Sequence, residues 1–132
     1  MSTKPVAEKL FIEPNTFVWS SDASRLDLIE PLPEGVRRAN GSERATTALI
    51  FADDAGSLRD ILVAHGDLLA RPKFLWVAYP KGNRADINRD TLRPILGEYG
   101  MRPVGQVSVG EVWSAMRFRA LEEGETPFAG GR

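Results

Sequence analysis

A chain of 132 residues, 42% hydrophobic and 27% charged, has the apolar content to build one domain with its own core. Its 17 basic and 18 acidic residues leave a formal charge of −1, so nucleic-acid binding through a net basic surface is not expected. Cysteine is absent, which removes disulfides, thiolate metal sites and cysteine nucleophiles together.

Residues 1–10 read as a flexible arm, with Leu10, Phe11 and Ile12 tucking onto a single α/β domain over residues 11–120. No apolar run follows Lys4, so the start does not have the form of a signal peptide, and no stretch nears the ~18 apolar residues of a membrane span. A cytoplasmic location without membrane contact is the expectation. Residues 15–20, with Phe17, Val18 and Trp19, suit a first buried strand. Ser21 or Asp22 can cap a short helix over 23–29, which Pro31 and Pro33 end. Glu34-Gly35 turns into a short strand at 36–39.

Residues 46–51 are apolar without alternation, the pattern of a strand covered on both faces. Leu58, Ile61, Leu62, His65, Leu68 and Leu69 then form a continuous helical stripe. Residues 74–79 make a fourth buried strand that leads into Pro80-Lys81-Gly82. A helix capped at Asn88 runs to Tyr99 with Pro94 inside it, and Gly100 supplies its stop. Residues 104–109 and 112–119 form a hairpin around Gly110-Glu111 and must be antiparallel. In its second strand Trp113, Ala115, Arg117 and Arg119 face one way, and Val112, Ser114, Met116 and Phe118 the other. The Gly-rich residues 121–132 read as a disordered tail. Strands separated by helices imply right-handed crossovers, a mostly parallel sheet with helices on both faces, and an antiparallel hairpin at one edge.

Two segments carry a resemblance. Residues 68–77 (LLARPKFLWV) and 99–104 (YGMRPV) resemble the C-terminal half of class I methyltransferases. Tyr79-Pro80-Lys81, Asp86, Glu111-Val112-Trp113-Ser114 and the stretch 31–36 (PLPEGV) are similar to a short bacterial family of unknown function, over roughly residues 10–120. The resemblance implies a three-layer Rossmann-like fold, a truncated methyltransferase-like sheet of about six strands in the order 2-1-3-4-6-5. It also implies a ligand crevice beyond the strand ends, between the first and third strands. A methyl-donor site there would need glycines after the first strand and an acid near the end of the second. Residues 20–24 (SSDAS) contain no glycine, and 37–40 (RRAN) no carboxylate, so S-adenosylmethionine is not expected as a cofactor.

Lys81 leaves the fourth strand at the usual ligand edge and, with Gly82, Asn83 and Arg84, can hold an anion or simply form a solvated loop. Asp22, Asp53 and Asp54 follow the first and third strands, where paired acids serve as a general base or cation site, or as helix caps. His65 is the single histidine and lies mid-stripe, so zinc and serine-histidine catalysis are not expected. Trp113, Arg117 and Arg119 form an aromatic and basic face suited to a protein partner, or a face packed under a helix with its arginines reaching water. The expected function is a non-catalytic methyltransferase-like domain that binds a protein partner or small ligand. The alternatives are an enzyme with an atypical small-molecule site at the strand ends, and a subunit that homo-oligomerises through its edge hairpin.

Overall fold

The computed structural model describes residues 6–29, 32–39, 45–65, 72–82 and 86–120. They form helix α1 (Val6–Lys9), strand β1 (Phe17–Ser20), a 3-10 helix (Ala23–Ile29), β2 (Arg37–Arg38), β3 (Thr47–Phe51), α2 (Ala55–His65), β4 (Phe74–Pro80), α3 (Arg89–Gly97), β5 (Met101–Val109) and β6 (Trp113–Ala120). The six strands make one sheet in the order β2-β1-β3-β4-β6-β5. β1 pairs in parallel with β2 and β3, and β3 in parallel with β4. β6 runs antiparallel to both β4 and β5. This is the Rossmann-like α/β order expected from the sequence. Among the described residues, no helix is long and apolar enough to cross a membrane.

All five residues of β3 are buried, as are the five central residues of β4, which is why neither strand alternates in sequence. Their side chains divide between two cores. Ala48, Ile50, Leu75 and Val77 meet Leu58 and Leu62 of α2, Leu92 and Leu96 of α3, and Met116 and Phe118 of β6. On the opposite face Leu49, Phe51, Trp76 and Ala78 meet Leu26 and Ile29 of the 3-10 helix, Ala7 and Leu10 near α1, and Trp113 and Ala115. Burial of each large side chain contributes about 1.5–3 kcal/mol.

The stretch expected to be a loose arm is packed where it is described. Ala7 and Leu10 are fully buried, and the Trp76 indole Nε1–H donates to the Leu10 carbonyl at 3.0 Å. The α1 end is closed by the Ile12 N–H donating to the Ala7 carbonyl at 3.0 Å, with Phe11 in the left-handed region at φ 63°. Phe11 tolerates that conformation while its ring lies 5.2 Å from Phe74 and 5.9 Å from Trp76. Residues 121–132, expected to be a tail, lie outside the described residues, as does the end of the helical stripe after His65.

The hairpin is longer than expected because β5 begins at Met101 and passes through Pro103. Proline is admitted there because β5 is an edge strand, and a register shift falls between Pro103 and Gly105. At the other edge, β2 is only Arg37 and Arg38, both exposed. α3 carries a reciprocal cap: Asn88 Oδ1 accepts from the Asp90 and Thr91 amides at 2.8 and 3.1 Å, and the Thr91 hydroxyl accepts from the Asn88 amide at 2.8 Å.

Thr47 is completely buried at the start of β3, and its hydroxyl has no hydrogen-bond partner among the described residues. Valine has nearly the same shape and suits a central strand. Thr47→Val is therefore expected to raise unfolding stability by about 1 kcal/mol in urea denaturation; an unchanged or lower midpoint would mean that the hydroxyl is satisfied.

Candidate functional site

The chain turns in opposite directions from β1 and β3, so the carboxyl ends of these strands flank the position where such sheets place ligands. Side chains of Asp22, Arg25 and Asp53 meet at that position. Arg25, in the first turn of the 3-10 helix, spans it: its Nε lies 3.2 Å from Asp22 Oδ2 and its Nη2 2.9 Å from Asp53 Oδ1. Its guanidinium carbon sits 4.8 Å from the centre of the Trp113 ring and 6.0 Å from that of Phe51, within range of cation–π attraction. Ser21 ties the two strand ends together. Its amide donates to the Leu49 carbonyl at 2.9 Å, and its hydroxyl accepts from the Phe51 amide at 2.9 Å.

Asp22 is both a cap and an ion-pair partner. Its Oδ1 accepts from the Ser24 hydroxyl at 2.6 Å and the Ser24 amide at 3.1 Å. The Ser24 hydroxyl is the main reason the Asp22 carboxyl lies below its ordinary pKa; desolvation opposes it, and the Ser24 amide and Arg25 add to the lowering. Asp54 caps α2, accepting from the Ser57 amide at 2.7 Å, while the Ser57 hydroxyl accepts from the Asp53 and Asp54 amides at 3.1 Å each. Asp86 reaches the same helix end and accepts from the Ala55 amide at 2.8 Å. The three acids expected near the crevice are thus Arg25 partners or helix caps. No group of three His, Asp or Glu residues placed to hold a metal occurs among the described residues.

The carboxyl end of β4 is different. Lys81 is anchored on the hairpin: its amide donates to the Val112 carbonyl at 2.7 Å, and its ammonium donates to the Ser108 hydroxyl and, at 2.9 Å, to the Gly110 carbonyl. Beside it lies a recess of about 250 Å³ lined by Tyr79, Pro80, Lys81, Gly82, Asn88, Gln106 and Ser114. Asn83, expected beside Lys81, lies outside the described residues. A second recess of about 300 Å³ lies further along β5 toward Arg93 and Arg102.

Trp113, Arg117 and Arg119 share the face expected for them without forming one exposed surface. Trp113 is 9% exposed and meets Phe51 edge to face at 5.5 Å. Arg117 is covered by Phe11, whose ring centre lies 5.2 Å from its guanidinium, and Phe74 is 5.8 Å away. Arg119 turns an Nη1–H to the Ala120 carbonyl at 3.0 Å. The face is packed because α1 and the 3-10 helix cover it.

Arg25, Gln106 and Ser21 were not among the residues expected at the site. A signal for Arg25 existed: a helix starting at Asp22 places the residue three positions later beside the cap. Its reach to Asp53 depends on β1 and β3 being neighbours, which local sequence does not encode.

No protein-family model matches the chain. No curated protein matches it significantly. Solved structures do. Sp1610 of Streptococcus pneumoniae, assigned as a tRNA (m1A22) methyltransferase, superposes with a TM-score of 0.55 at 16% identity, over 96% of this chain and 73% of that one. The same protein in complex with S-adenosyl-L-methionine gives 0.53 at 15% identity, over 92% and 72%. The Bacillus subtilis m1A22 tRNA methyltransferase TrmK gives 0.50 at 13% identity, over 90% and 67%. At this identity the likeness shows the fold: the chain has a methyltransferase-like, Rossmann-type architecture.

Proposed function

We propose that this chain is a non-catalytic methyltransferase-like domain, binding a protein partner or small ligand, in which side chains occupy the place of the methyl donor. The observation that carries the reading is Arg25, held between Asp22 and Asp53 and stacked on Trp113 where the crevice would open. Two sequence features support it. No glycine stands in residues 20–24 after β1, where close approach of backbone to a ligand would want one, and residues 37–40 at the end of β2 include no carboxylate for ribose hydroxyls. A ligand entering between β1 and β3 would have to displace an ion-paired guanidinium and break the Ser21–Phe51 bond.

Because a structural neighbour holds S-adenosyl-L-methionine, that molecule is the direct test. Calorimetric titration with S-adenosylmethionine and S-adenosylhomocysteine is expected to give no saturable heat up to millimolar ligand. A micromolar dissociation constant for either would overturn the reading. A second reading, a small-molecule site at the carboxyl ends of the strands, is supported by the recess beside Tyr79 and Lys81, which lies apart from the crevice that Arg25 spans.

A further inference from the structure

We propose that this recess binds a small monoanion through its carboxylate or phosphate oxygens, an inference that rests on reading the recess as a ligand site. Its floor is a transverse row of hydroxyls. Tyr79 stands opposite Ser114 across β4 and β6, and Ser114 opposite Ser108 across β6 and β5. Side chains alternate along a strand, so Ser114 faces the same way as Met116 and Phe118, toward α3. Gln106 joins the row, its Nε2 donating to the Tyr79 hydroxyl at 3.0 Å. α3 begins only at Arg89, and this end of the row opens on the recess.

Lys81 supplies the charge. Its ammonium has three N–H groups, and the Ser108 hydroxyl and Gly110 carbonyl take two of them. Both acceptors are neutral, and among the described residues no carboxylate forms an ion pair with it. The nearest acid after Gly82 among the described residues, Asp86, is engaged with the Ala55 amide. The result is a fixed cation with one donor to spare and, among the described residues, no carboxylate within 4 Å. The half-buried Ser114 hydroxyl, which makes no hydrogen bond among the described residues, is a second donor on the same recess.

Size and charge define the class of ligand. About 250 Å³ is below the usual span of drug-sized sites, which points to a compact metabolite. Among the described residues, Lys81 is the only charged one lining the recess, so they match one negative charge and not a second. Hydrogen bonds to a charged oxygen are roughly twice as strong as neutral ones, so ammonium and hydroxyls together favour an oxyanion over a neutral polyol.

The test is a ¹⁵N–¹H correlation titration of the full chain at constant ionic strength, with inorganic phosphate, glycolate and glycerol as separate probes. Saturable shifts at the amides of Lys81, Gly82, Gln106 and Ser114 are expected with phosphate or glycolate, and none with glycerol; the responding anion identifies the headgroup. Ser114→Ala is expected to weaken that binding about tenfold, and Lys81→Met to abolish it. Lys81→Met also loosens the hairpin tie, so Ser114→Ala decides the matter if the first variant fails to fold. No saturable shift with either anion, or an unchanged affinity in Ser114→Ala, overturns the proposal. Saturation by glycerol alone also overturns the anion, while leaving the recess as a ligand site.

Discussion

Trp76→Ala is expected to destabilise the domain by about 3–5 kcal/mol. Trp76 is the largest fully buried side chain, at the middle of β4, between the sheet and the chain segment that follows α1. Its loss removes apolar contact with Leu10 and Ile12 and leaves the Leu10 carbonyl without its indole donor. Trp76→Phe separates the two contributions. It keeps most of the ring area and should cost about 1–3 kcal/mol, the penalty of an unpaired buried carbonyl and a smaller ring. Urea unfolding followed by far-ultraviolet circular dichroism measures both. Amide exchange at Leu10 and Ile12 should accelerate in both variants ahead of the rest of the sheet. A loss under about 1 kcal/mol in Trp76→Ala would mean that this face repacks freely, against the close packing described here.

Gly35→Ala should cost about 2–3 kcal/mol, and the comparison with two other glycines shows why. Gly35, Gly82 and Gly110 all have positive φ, at 77°, 73° and 69°. A Cβ on Gly82 or Gly110 would meet nothing within 4 Å, so alanine there carries only the left-handed penalty of roughly 1–2 kcal/mol. On Gly35 the same atom would lie 2.0 Å from Asn15 Oδ1 and 3.3 Å from Asn15 Cα. Asn15 has little freedom to yield, because its own φ is 62° and its amide donates to the Glu34 carbonyl at 3.0 Å. The contact joins the start of β1 to the turn before β2. Thermal unfolding of the three alanine variants checks the ranking; equal losses would show that Asn15 moves aside without cost.

The buried centre of the fold was legible in the sequence because its physics is local. Unbroken apolar runs marked β3 and β4 to within one residue at each end, since both faces of each are covered. The stripe of Leu58 and Leu62 marked α2, and Asn88 marked the α3 cap. α1 was not legible, because four residues are too few to show a helical period and its packing depends on Trp76, far along the chain. Pro103 concealed the first third of β5, since proline reads as a strand breaker except at an edge, and edges are set by topology. At the site, the positions of Asp22, Asp53 and Lys81 were legible from strand order. Their partners were not: Arg25 reaches Asp53, and Lys81 reaches Ser108, only after distant strands have paired.

The two outer strands have a bearing on how this molecule behaves in a crowded solution. An open sheet ends in rows of unpaired amides and carbonyls, which invite like chains to stack into fibrils. Here one margin is two charged residues long, and the other is interrupted by Pro103 and the irregularity after it. A neighbouring copy that approached β2 would meet Arg37 and Arg38, and one that approached β5 would find a regular template only beyond Gly105. Both margins are therefore poor templates for edge pairing, and replacing Pro103 with a strand-forming residue such as valine is expected to make the β5 margin a better one while leaving both cores intact.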